Sequence, residues 1–309
     1  MIILTGPTAV GKTATSIALA KAVNGEIISA DSMQVYKYMD IGTAKIKWEE
    51  MCGVPHYLID DLMPDEEFSV ATFQKMAKNA LDEIYSKKKI PIVVGGTGFY
   101  IQALLYDIDF NETEGHPYRE QLETYVENNG ADALHNKLQE IDPVAAKTIH
   151  VNNVKRVLRA IEFYYETGTQ ISTHNEAERI KESPYNFCYF VLNDKRDVLY
   201  ERIDERIDIM MEEGLLNEVQ GLLEQGYSRD LVSMQGLGYK EMVSYLEQEI
   251  SLEEAVRILK RDTRHFAKRQ LTWFKRERDV IWIAKNEYQN QTKSIVNKML
   301  ACIKEREII

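Results

Sequence analysis

In the first hundred residues, short solid apolar runs alternate with stretches of helical spacing. Ile2-Ile3-Leu4, Glu26-Ile27-Ile28-Ser29 and Pro91-Ile92-Val93-Val94 read as strands that are apolar on both faces. Before the third of these, Ser69 opens a helix with Val70, Phe73, Met76, Ala77, Leu81 and Ile84 at helical spacing. Lys87-Lys88-Lys89 sits at its negative C-terminal end. Strands and helices in this order predict a buried, mostly parallel sheet flanked by helices, an α/β core.

From about Asn111 the pattern changes. Residues 111–185 carry no strand-like run and are rich in Glu, Asn, Tyr and Lys at helical spacing. A strand-like run returns at Phe187-Cys188-Tyr189-Phe190-Val191-Leu192. This predicts an all-helical insertion over 111–185, set into a core made of 1–110 and 186–309. Beyond Asp194 the chain reads as nearly all helix. Asp194 is the expected N-cap, Gly214 and Gly226 are the stops, and Ser251-Leu252-Glu253-Glu254 is a capping box.

Composition changes the picture in one place. The chain has 309 residues, a formal net charge of −11 and only three cysteines, Cys52, Cys188 and Cys302, which form no metal-ligand spacing. No run is long enough to span a bilayer, and no signal peptide fits ahead of the motif described next, so a cytoplasmic location is expected. Net acidity argues against a nucleic-acid partner, yet residues 257–278 hold nine Lys/Arg against two acids. A basic stripe on an acidic body suits binding of a polyanion at one place.

The densest chemistry lies at the start. Gly6-Pro7-Thr8-Ala9-Val10-Gly11-Lys12-Thr13 follows a strand and opens a helix. In this P-loop pattern the backbone N–H groups turn inward around phosphate oxygens. Lys12 adds a point charge, and the Thr13 hydroxyl is a ligand for Mg²⁺. The core is therefore expected to resemble that of P-loop NTPases.

Asp31 stands at the carboxyl end of the second strand, where open α/β sheets place their ligands. It is suited to act as a general base or to hold Mg²⁺ through water, and equally to cap a turn. Ser32, Met33, Gln34 and Tyr36 follow, and the Gln34 amide suits the edge of an adenine. Thr97 lies in Gly95-Gly96-Thr97-Gly98 after the third strand. An ordinary P-loop NTPase carries an acidic Mg²⁺ residue there, so its absence weighs against ATP hydrolysis. Arg202 and Arg206 share one helical face, as do Arg156 and Arg159 beside Phe163-Tyr164-Tyr165. Arg264, Lys268 and Lys275 share a face of the basic helix.

Five ordered segments carry a resemblance: the P-loop, Ser29–Tyr36, Gly95–Tyr100, Gly236-Leu237-Gly238-Tyr239-Lys240-Glu241 and Thr263–Gln270. Together they resemble the bacterial tRNA dimethylallyltransferases, over residues 1 to about 283. Phe99 stands where the family commonly has Leu. The resemblance implies transfer of the dimethylallyl group of dimethylallyl diphosphate to N6 of adenosine 37 in the tRNA anticodon loop, with Mg²⁺ and release of diphosphate.

On matching positions it implies Asp31 as base, Thr97 at the reacting centre, and Arg206 clamping the diphosphate, with Arg202 the other candidate. It further implies tRNA contacts from Asp31 to Gln34, Thr97, Arg119, Lys155, Arg156, Val157, Leu158, Arg159, Arg264, Lys268 and Arg269. A monomer is expected. The alternatives are a P-loop small-molecule kinase and an isopentenyltransferase acting on free adenine nucleotides.

Overall fold

The structure is a computed structural model that describes residues 1–110 and 117–309. The expected start of the insertion at Asn111 lies outside the described residues. The chain forms two compact units, residues 1–105 with 185–309 and residues 106–184.

The larger unit is built on a six-stranded sheet. Its strands are β1 (Ile2–Thr5), β2 (Gly25–Ala30), β3 (His56–Tyr57), β4 (Ile90–Gly95), β5 (Cys188–Asn193) and β6 (Val280–Ala284), in the order β3-β2-β4-β1-β5-β6. Every pairing is parallel. Every residue of β1 and β2 is buried, as solid apolar runs require when helices cover both faces. Because the strands run the same way, the carboxyl ends of β1, β2 and β4 lie side by side. Thr5 pairs with Gly95, and Gly95 with Ala30.

Two strands depart from the sequence reading. The chain beyond Asp194 is not all helix, because Val280–Ala284 adds a strand beside β5. The pair His56–Tyr57 is too short to carry a period. Asp194 also differs from expectation. Lys195 stands at the N-cap of the helix Arg196–Glu213 and makes no side-chain cap bond, while the Asp194 carboxylate accepts from Arg202. Ser69 and Ser251 do cap their helices, accepting from the backbone N–H groups of Thr72 and Glu254.

The smaller unit contains the helices Arg119–Ile141, Pro143–Thr148, Val154–Thr167 and Ile171–Ile180. The first breaks at Gly130, whose φ of +83° lies outside the helical region. Its core gathers Leu122, Leu134, Leu138, Val157, Leu158 and Ile161.

Candidate functional site: a phosphate loop beside a carboxylate

The loop after β1 needs glycine at two points. Gly6 has φ +147°, and a Cβ there would lie 2.4 Å from the Leu192 carbonyl oxygen. Gly11 has φ +90°, with Lys285 Nζ only 2.7 Å from where its Cβ would stand. The loop feeds directly into the helix Lys12–Val23, whose first N–H groups have no intrahelical partner and sit at its positive end. An anion is the partner such an end favours. Lys12 Nζ donates to the carbonyls of Gly6 and Pro7, both at 2.9 Å. Desolvation, with Arg206 close by, pulls the Lys12 ammonium down to about 8, and the Asp31 carboxylate pulls the other way. The Thr13 side chain is exposed, and its hydroxyl has no protein partner among the described residues.

Two side chains that sequence reading missed brace this loop. Lys285, itself buried, donates from Nζ to the Val10 carbonyl at 2.8 Å. Gln270 Oε1 accepts from the Thr8 backbone N–H at 2.9 Å. The Thr8 amide is thereby engaged by a protein acceptor. Neither brace has a local signal, because each lies more than 260 residues along the chain from its loop partner.

Asp31 and Thr97 stand at the two neighbouring strand ends. The Thr97 N–H donates to the Ala30 carbonyl at 3.3 Å, so the Gly95–Thr97 turn lies against the end of β2. Its hydroxyl has no protein partner among the described residues. Asp31 Oδ1 accepts from the N–H groups of Met33 (2.9 Å) and Gln34 (3.4 Å), which fixes the carboxylate, while Oδ2 has no protein partner among the described residues. Ser32 and Met33 are half-buried, and the Met33 methyl packs on Gly236, where a Cβ would sit 2.5 Å from it. The Gln34 amide has a different task from the one expected. Nε2 donates to the carbonyls of Thr43 and Ala44, both at 3.2 Å, so its hydrogens hold a loop instead of facing a base edge. Glu218, also missed, takes the N–H groups of Asp40, Ile41 and Gly42 and the Tyr239 hydroxyl, fixing the start of that same loop.

The two arginines of the helix Arg196–Glu213 separate cleanly. Arg202 Nη1 donates to Asp194 Oδ2 at 2.8 Å. Arg206 is half-buried, has no hydrogen-bond or ion-pair partner among the described residues, and lies near enough to Lys12 to act on its charge. Burial lowers its own pKa.

The basic helix is Leu252–Phe274, with Ala255, Leu259, Ala267, Gln270 and Phe274 buried. Much of its charge is already paired. Arg257 grips Glu254, Lys260 meets Asp208, Arg261 meets Asp262, and Arg264 meets Asp204. The expected free stripe thus narrows, and Arg264 is not a free cation. Lys268, Arg269, Lys275 and Arg276 have no acidic partner among the described residues. Lys268, Arg269 and Arg276 line a shallow groove of about 390 Å³ with His265, Thr272 and Trp273.

In the smaller unit, Lys155 and Arg156 are exposed. Val157 and Leu158 are buried in the helical core, so the exposed side chains of this stretch are those of Lys155 and Arg156. Arg119 makes a bidentate pair with the fully buried Glu162, at 3.0 and 2.7 Å. Arg159 reaches the same carboxylate at 3.3 Å. Among the described residues no helix is long and apolar enough to cross a membrane.

Residues 34–277 match the family model described as IPP transferase. A tRNA dimethylallyltransferase of Lachnoclostridium phytofermentans is 63% identical over 310 residues, covering 100% of this chain and 99% of that protein. One from Acetivibrio thermocellus is 54% identical, covering 96% of this chain and 95% of its own. Among solved structures, a full-length tRNA isopentenylpyrophosphate transferase from Bacillus halodurans gives a TM-score of 0.74 at 46% identity. It covers 99% of this chain and 97% of that one. A eukaryotic dimethylallyltransferase acting on tRNA gives 0.82 at 30% identity, covering 100% of this chain and 79% of its own. With a family model over most of its length and relatives aligned nearly end to end, this chain belongs to the IPP transferase family.

Proposed function

We propose that this protein transfers the dimethylallyl group of dimethylallyl diphosphate to N6 of adenosine 37 in tRNA, just 3′ of the anticodon. The observation that carries this reading is the pairing of a phosphate loop with a carboxylate at the next strand end. Asp31 Oδ2 has no protein partner among the described residues, and Asp31 lies near enough to Lys12 to act on its charge. A loop holding a leaving group needs a base beside it for the incoming nucleophile.

In the proposed step the N6 lone pair attacks the allylic carbon, forming the C–N bond. The C–O bond to diphosphate breaks, and its electron pair leaves on the diphosphate oxygen. The N6 proton passes to Asp31 Oδ2. Lys12, Arg206 and the loop amides stabilise the growing negative charge. Thr97, whose hydroxyl has no protein partner among the described residues, contacts the reacting centre from the neighbouring turn. No phosphoryl group moves, which agrees with the absence of an acid after β4.

A bound Mg²⁺ would neutralise charge on the departing diphosphate. The exposed Thr13 hydroxyl is a hard oxygen donor of the type that ion takes. Among the described residues no group of three His, Cys, Asp or Glu could hold a metal without substrate. Thr13 would hold the ion together with oxygens of the diphosphate.

The target base must leave its stack to reach this site, at a cost that single-stranded loops keep small. Lys268, Arg269, Lys275 and Arg276, and separately Lys155 and Arg156, have no acidic partner among the described residues and are suited to the tRNA backbone. Both substrates place the reaction in the cytoplasm.

The test is incubation with Mg²⁺, dimethylallyl diphosphate and unmodified tRNA bearing adenosine at position 37, followed by digestion to nucleosides. N6-dimethylallyladenosine from tRNA supports the reading. Modification of free AMP alone, or ATP consumption without prenylation, contradicts it.

A further inference from the structure

The geometry points to Gln270 as a positioning residue that sets the phosphate loop against the Thr97 turn, and so aligns the leaving group with the reacting carbon. This inference rests on the prenyl-transfer reading for its chemistry, though not for its geometry. Gln270 is buried on the inner face of the basic helix. Its carboxamide bridges two separate turns. Oε1 accepts the Thr8 N–H at 2.9 Å, and Nε2 donates to the Gly96 carbonyl at 3.0 Å. The partners fix which end is oxygen, because one is a donor and the other an acceptor.

The seat is tight. A Cβ at Gly96 would lie 2.2 Å from Gln270 Nε2, and one at Gly98 would lie 2.2 Å from the Trp273 ring. One helix therefore grips the Gly96–Gly98 turn twice and the phosphate loop once. Thr97 stands between the two gripped glycines. Its hydroxyl is held in place by its neighbours' contacts with this helix.

A packing role alone would be met by any side chain of the same size. Simultaneous donation and acceptance needs a carboxamide or a protonated carboxyl. That difference defines the test. Gln270→Met keeps the volume and loses both bonds. Its kcat/KM for dimethylallyl diphosphate is expected to fall about 100-fold, the scale at which small misplacements act on rate. Its affinity for inorganic diphosphate with Mg²⁺, read by calorimetry, should fall about tenfold, while tRNA affinity stays within about twofold.

Gln270→Glu supplies the second readout. Ionised, it accepts from Thr8 but cannot donate to Gly96; protonated, it does both. Burial raises a carboxyl pKa, so activity relative to the wild type should climb as pH falls from about 8 to about 6. A flat relative profile, an unchanged Gln270→Met enzyme, or loss of tRNA affinity matching the loss of turnover would each overturn the inference. If the wild type prenylates nothing, yet Gln270→Met still weakens diphosphate binding, the reaction assignment fails and the positioning role stands.

Discussion

Arg202 donates to the buried carboxylate of Asp194 at 2.8 Å, and this bond separates two arginines that helical spacing makes equivalent. Arg206, one turn on, has no such partner among the described residues and lies near enough to Lys12 to act on its charge. Replacing Arg206 with Ala should raise KM for dimethylallyl diphosphate by about tenfold to 100-fold, as the loss of one charged contact to an anion. Stability should change little. Arg202→Ala should do the reverse, costing roughly 1–3 kcal/mol in denaturant unfolding because the buried Asp194 carboxylate loses its ion pair and keeps only the Lys195 N–H on Oδ1. Steady-state kinetics beside urea titrations of both variants check the split.

The salt dependence of tRNA binding should separate free from paired cations. Changing Lys268 and Arg269 together to Ala should shrink the slope of log K against log salt by up to roughly 1.5, at somewhat under one per phosphate contact. Arg257→Ala should leave the slope unchanged, since that guanidinium is committed to Glu254 by two bonds. Filter binding across salt concentrations measures both.

Gly98 should not tolerate a methyl group. A Cβ would stand 2.2 Å from Trp273 Cδ1, so the turn or the helix must shift. Overpacking of this kind typically costs about 1–3 kcal/mol. Gly98→Ala should therefore melt earlier and turn over more slowly. Gly130→Ala is the contrast, with open space around its added methyl but strain at φ +83°. It should affect stability without touching turnover.

Glu277 gives a pH dependence with a definite sign. Burial pushes its carboxyl from 4.5 up to about 7, against the opposing influence of Trp273 and, less, of Arg278. Between those values the folded chain holds a proton that the unfolded chain has lost. Stability must therefore fall as pH rises through that window and level off above it. Gln at this position is neutral throughout. Wild type minus Glu277→Gln, measured by denaturant unfolding at several pH values, should decline from pH 4.5 to 7.

Much of the sheet was legible because solid apolar runs admit few alternatives. The phosphate loop, Asp31 and Thr97 were legible as strand-end residues, and parallel pairing brings strand ends together. Val280–Ala284 escaped because five residues at the sheet edge, mostly half-buried, follow directly on a strongly charged run. The basic stripe was overcounted for a different reason. Its charges can be read from sequence, but Asp204 and Asp208, which neutralise part of it, lie on another helix. Gln270 was invisible as a brace because neither of its partners is near in sequence.

The central claim is that the loop holds diphosphate as a leaving group and that no phosphoryl group is transferred. Dimethylallyl diphosphate labelled with ¹⁸O in the bridging C–O–P position tests it directly, with products read by mass spectrometry after reaction with tRNA. The account predicts that all the label leaves in diphosphate and none appears in the organic product. Label retained on a dimethylallyl alcohol, with phosphate or diphosphate transferred to RNA or water, would contradict it.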